Sequence, residues 1–163
     1  MQEINMKAAT LKEVKTELSH KSHQELMELC LRLSRFKKEN KELLTYLLFE
    51  YSDEEGYIKS IKSAMDIEFE AINTDSYFYM RKSIRKILRL IKKFIRYSQN
   101  KETEVELLLY FCRRLKYFEP SITKSKALVN LYNRNIDFIK KKVALLHEDL
   151  QYDYRLEIEN LEG

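Results

Sequence analysis

The chain has 163 residues, 34% of them charged and 44% hydrophobic, and a formal net charge of +4. Its two glycines and single proline rule out a glycine-rich phosphate loop and point instead to long helices joined by short polar turns. High charge with an ordinary apolar share fits amphipathic helices better than a disordered chain, and the length suffices for one domain with a substantial core.

The first predicted helix covers about residues 6–18, with Leu11, Val14 and Leu18 turned inward. After the turn SHKS, Ser22 and Glu25 stand three apart, the spacing of a capping box, and open a second helix. Its inner positions are Leu26, Leu29, Cys30, Leu33 and Phe36. A third helix follows, with Leu43, Leu44, Leu47 and Leu48 inward.

SDEEG (52–56) is an acidic break. The fourth helix then runs through Ile58, Ile61, Met65, Phe69 and Ile72, and NTDS (73–76) ends it and caps the next. A basic fifth helix spans about 76–98. The sixth contains Val105, Leu108, Leu109, Phe111, Cys112 and Leu115. Pro120 marks a break, because it lacks an N–H and disfavours helix in the residue before it. A seventh helix covers about 122–147. The acidic segment 148–163 is either a mobile tail or one more helix.

These elements predict an all-α protein of about seven antiparallel helices in a single domain, residues 1–163. Two segments echo each other: RFKKENKE before LLTYLLF (35–49), and RYSQNKE before VELLLYF (96–111). The echo favours a short α-solenoid of stacked helical hairpins, with a compact helix bundle as the alternative.

The fifth helix is the outstanding feature. Within 81–96, RKSIRKILRLIKKFIR, eight residues are basic and none is acidic: Arg81, Lys82, Arg85, Lys86, Arg89, Lys92, Lys93 and Arg96. At 100° per residue all eight fall within an arc of about 140°, opposite Ile84, Ile87, Leu88, Leu90, Ile91, Phe94 and Ile95. The stripe carries +8, so the rest of the chain is net acidic. Two segments, 53–75 and 148–162, are each acidic enough to neutralise part of it from within. Otherwise its counter-charge comes from outside, from an acidic protein surface or from nucleic-acid phosphates. The stripe lacks Asn and Gln to read base edges, so nucleic-acid binding through it is expected to be independent of sequence. Insertion into an anionic membrane surface is disfavoured, because the apolar side of the helix is needed to cover a core.

Other chemistry finds little support. Glu17 and His20 match one Glu-x-x-His element of a di-iron bundle, but the bundle needs a second, and His147 has Ala144 where that Glu would stand. Asp66 and Glu70 share a helix face without an identifiable partner for acid–base work. Cys30 and Cys112 sit in apolar helical contexts and are expected to be reduced and buried. The N-terminal stretch has no apolar signal core, and no apolar run is long enough to span a membrane, so a cytoplasmic location is expected. The sequence therefore predicts a non-enzymatic interaction module without metal or cofactor, binding an anionic protein partner through 81–96. Binding of nucleic-acid phosphates by the same residues is the alternative.

Overall fold

In a computed structural model, residues 6–163 are described; residues 1–5 of the stretch read for a signal core lie outside them. The protein is all-α. Among the described residues there are eight α-helices, one π-turn, one 3-10 turn and no strand. The chain divides into two compact units, Met1–Thr45 and Tyr46–Gly163.

The first unit holds α1 (Leu11–Ser19), α2 (His23–Phe36) and α3 (Lys38–Thr45). Thr10 caps α1 by accepting the Glu13 N–H at 3.2 Å. The capping box at α2 is complete: Ser22 Oγ accepts from Glu25 N, and Ser22 N donates to Glu25 Oε1, both at 3.1 Å. Lys37, in an extended conformation, separates α2 from α3, and Asn40 Nδ2 donates to Leu33 O at 2.8 Å across that corner.

The inward positions expected in this unit are not buried. Leu11, Val14, Leu18, Leu29, Leu33, Phe36 and Cys30 are all exposed, and Leu26, Leu43 and Leu44 are half-buried. Ser34, whose hydroxyl donates to Leu31 O, is the single buried side chain described between Leu11 and Thr45. Amphipathic periodicity reports which side of a helix is apolar; it does not supply a second layer to cover that side.

The second unit begins with the π-turn Tyr46–Glu50, closed by a 2.8 Å bond from Tyr51 N to Tyr46 O, five residues back. This wider turn corrects the expected third helix. Residues four apart no longer stack in a π-turn, so Leu47 and Leu48 do not follow Leu43 and Leu44 inward and are exposed instead.

Five helices build the core: α4 (Glu54–Glu70), α5 (Tyr77–Ser98), α6 (Lys101–Lys116), α7 (Lys126–Val143) and α8 (Glu148–Glu162). Segment 148–162 is thus an ordered helix, with Tyr154, Ile158 and Leu161 buried. α6 is central and packs on α4, α5, α7 and α8. It buries Val105, Leu107, Leu108, Leu109, Phe111, Cys112 and Leu115. The main contacts join helices one or two places apart in the chain, a pattern shared by stacked hairpins and compact bundles. Each helix start has its own cap: Asp53 for α4, Ser76 for α5, Asn100 for α6, Ser125 for α7 and His147 for α8.

The two echoing segments fold differently. The first turns at extended Lys37 and ends in the π-turn; the second turns through Gln99, in the left-handed region at φ 51°, and continues as α6, the central helix of the core.

Tyrosine hydroxyls fasten the second unit. Tyr57 Oη donates to Phe94 O at 2.8 Å, Tyr77 to Ser121 O at 2.7 Å, Tyr110 to Asp66 Oδ1 at 2.6 Å and Tyr132 to Leu161 O at 2.6 Å. Each puts a large apolar ring into the core and its polar tip on another element.

Candidate functional site on helix α5

The basic helix has the highest amphipathic contrast in the chain, and its two sides are cleanly separated. Met80, Ile84, Ile87, Leu88, Ile91 and Ile95 are buried against the core. Of the eight cations, Lys82, Arg85, Lys86, Arg89, Lys92 and Arg96 are exposed, and Arg81 and Lys93 are half-buried. The face extends over 15 residue rises, about 22 Å.

Among the described residues, Arg81, Lys82, Arg85, Lys86, Arg89, Lys92 and Arg96 form no ion pair. Three carboxylates of the acidic segments are engaged elsewhere. Asp66 on α4 accepts from Tyr110 and lies 3.4 Å from Arg114 Nε, an ion-pair distance without hydrogen-bond alignment. Glu157 on α8 holds Arg113 at 3.0 Å, and Glu162 holds Lys140. These carboxylates therefore face α6 and α7.

Two exposed aromatic residues open the face. Phe78 and Tyr79 meet edge to face with ring centroids 5.5 Å apart. Lys82 Nζ stands 4.7 Å and Arg81 Cζ 6.0 Å from the Phe78 ring centroid. The cations at this end thus already rest on an aromatic surface.

A polar cleft of about 580 Å³ lies between the starts of α4 and α6, lined in part by Glu54, Lys62, Glu102, Thr103 and Glu106. Glu54, Glu102 and Glu106 have partners there. Glu54 accepts from Tyr46, Ser98 and Thr103; Glu106 pairs with Lys62 at 3.3 Å; Glu102 and Glu106 both accept from Tyr154 Oη, at 3.0 and 3.2 Å. Burial first, then these two carboxylates, hold the Tyr154 hydroxyl far above its ordinary pKa. The arrangement joins helices and keeps its protons fixed. Sequence reasoning missed Glu54 as a hub, because its partners Ser98 and Thr103 lie 44 and 49 residues away.

His20 and His23 are exposed, and no group of three or more His, Cys, Asp or Glu is placed to share a metal ion among the described residues. Cys112 is buried as expected, and burial pushes its thiol up to about 12. Cys30 is exposed, contrary to expectation, because α2 has no layer over that side. No helix among the described residues is long and apolar enough to cross a membrane. No protein-family model matches the chain, and no curated protein or solved structure matches it either.

Proposed function

We propose that the protein is a non-enzymatic helical interaction module whose α5 face, Arg81 to Arg96, binds an anionic surface on a partner protein. The supporting observation is that, among the described residues, Arg81, Lys82, Arg85, Lys86, Arg89, Lys92 and Arg96 form no ion pair, while Asp66, Glu157 and Glu162 of the acidic segments pair with cations of α6 and α7. Like charges recur at i,i+4 along the row, each pair costing about 0.2–0.5 kcal/mol on an isolated helix. An external anion relieves that repulsion. A protein is favoured over nucleic acid because the aromatic residues of the face, Phe78 and Tyr79, are confined to one end and leave little for bases to stack on. We assign the chain to the cytoplasm on the same footing: both cysteines are free, one of them exposed, as suits a reducing compartment.

The test titrates the protein with a polyglutamate peptide and with a duplex DNA of arbitrary sequence, from about 50 to about 200 mM salt. The peptide is expected to bind, and R85E/R89E/K92E to abolish binding. Tighter binding of the duplex, with affinity falling steeply as salt rises, puts the nucleic-acid alternative in its place. Failure of both probes to bind, or equal binding by the triple variant, removes the assignment of this face.

A further inference from the structure

On the footing that α5 binds an anionic protein, we propose that the partner presents an acidic α-helix, headed by one apolar residue, which lies along α5 from Phe78 to Arg96. The first observation is a register. Phe78, Lys82, Arg85, Arg89, Lys92 and Arg96 follow one another at steps of 4, 3, 4, 3 and 4 residues. That is the spacing of the seam between two near-parallel helices. At 100° per residue these positions fall within about 80°, so they form one line along the helix rather than a broad patch. Phe78 stands on the line of the cations, one turn ahead of Lys82. Arg81, Lys86 and Lys93 flank the line.

Length selects a helix over an extended segment. From residue 78 to residue 96 the line covers 18 residue rises, about 27 Å, with one position about every 5.4 Å. An extended segment puts same-side residues about 6.6 Å apart, so over the same five steps it overshoots by about 6 Å, a whole position. A second α-helix has the same rise and stays in step throughout. The head of the line selects an apolar residue. Phe78 is 52% exposed, although the opposite side of α5 is buried, and its ring meets Tyr79 edge to face. Lys82 Nζ lies 4.7 Å from the Phe78 centroid, so ring and cation make one continuous surface. Asp75, exposed three residues before Phe78, disfavours another acid at this end. The complement is therefore apolar against Phe78 and acidic from Lys82 onward. A phosphate backbone supplies the charge without the apolar head.

The test uses the full chain and synthetic peptides of about 21 residues, with Glu at the 3-4 spacing and one Leu at the first or the last seam position. The control is an isomer of the same composition whose Glu residues are spread round the helix. One of the two seam peptides is expected to bind about tenfold tighter than the isomer at about 100 mM salt, and to gain helical circular dichroism in the complex. Phe78→Ala is expected to weaken that peptide about fivefold and to leave the isomer unchanged. The comparison between peptides needs no variant, so it decides even where Phe78→Ala fails to fold. An isomer bound as tightly as both seam peptides, a bound peptide that stays unfolded, or a folded Phe78→Ala protein of undiminished affinity overturns the proposal. In each of those cases, binding of polyglutamate still upholds the α5 face itself. Duplex DNA bound tighter than either seam peptide, or no binding of polyglutamate or of any of these peptides, removes both.

Discussion

Thr103 Oγ1 donates a 2.6 Å hydrogen bond to Glu54 Oε1, joining the first turn of α6 to the first turn of α4. The same oxygen accepts from Ser98 at the end of α5, at 2.5 Å, and Oε2 accepts from Tyr46 in the π-turn, at 2.7 Å. One carboxylate thus ties four elements together. It also sits at the start of α4, where the helix dipole favours negative charge.

Replacing Glu54 by Ala is expected to cost about 2–4 kcal/mol, because the fully buried Thr103 hydroxyl loses its acceptor along with two others. Glu54→Gln, which keeps one acceptor oxygen, should lose about half as much. Urea unfolding at neutral pH measures both. A loss below about 0.5 kcal/mol for Glu54→Ala, the range of an ordinary surface change, contradicts the hub.

The buried tyrosines set an alkaline limit. Burial, as the largest cause, raises the hydroxyls of Tyr46, Tyr57, Tyr110 and Tyr154, and pushes Tyr132 up to about 12. The folded state therefore holds these protons to higher pH than the unfolded chain, in which tyrosine titrates near about 10. Stability is full below about pH 10 and is lost as pH rises from there through the folded values. The denaturation midpoint should stay level from about pH 8 to 9.5 and then fall, with a shallower fall in Tyr154→Phe. A midpoint level up to about pH 12 runs against this assignment.

Reversing Arg85, Arg89 and Lys92 to Glu should leave the fold intact. These side chains are exposed and unpaired among the described residues, and reversal turns the like-charge i,i+4 pairs 81/85, 89/93 and 92/96 into opposite ones. The expected change in stability is under about 1 kcal/mol, with a melting temperature equal to or above that of the wild type at low salt. A large drop would show that carboxylates of this chain neutralise the face in solution.

Lys116 closes the last turn of α8. Its Nζ donates to the carbonyls of Asn160, Leu161 and Gly163 at 3.0, 3.1 and 2.8 Å, groups that have no partner within a helix end. Lys116→Met should speed amide exchange over residues 158–162 and lower stability by about 1–2 kcal/mol. Exchange in α8 at the wild-type rate would assign the closure to Tyr132 alone, which also donates to Leu161 O.

Much of this architecture was legible in the residues. The 3.6-residue period of α5 and the inner rows of α4 and α6 are local signals, and the buried residues follow them. The capping box at Ser22 and the cap at Ser76 depend on spacings of three residues, and both are present. What escaped depends on distance or on covering layers. Leu47 and Leu48 turned outward because the π-turn altered the period locally. The apolar rows of α1 and α2 gave the right sides but not their burial. For the candidate site, the arc of cations could be read directly. The direction in which Asp66, Glu157 and Glu162 point could not, since it follows from how α4 and α8 lean on α6 and α7.

The charge density of α5 has one more consequence. Eight cations over about 22 Å amount to one per roughly 3 Å of axis, close to the one phosphate per 3.4 Å on a single strand of B-form DNA. The helix is in effect a short polyelectrolyte of inverted sign, and like a nucleic acid it gathers its own atmosphere of small counterions. The resting face is therefore coated, and any partner exchanges places with that coat. The choice of buffer anion, chloride or glutamate, phosphate or sulfate, becomes a variable of the binding equilibrium in its own right.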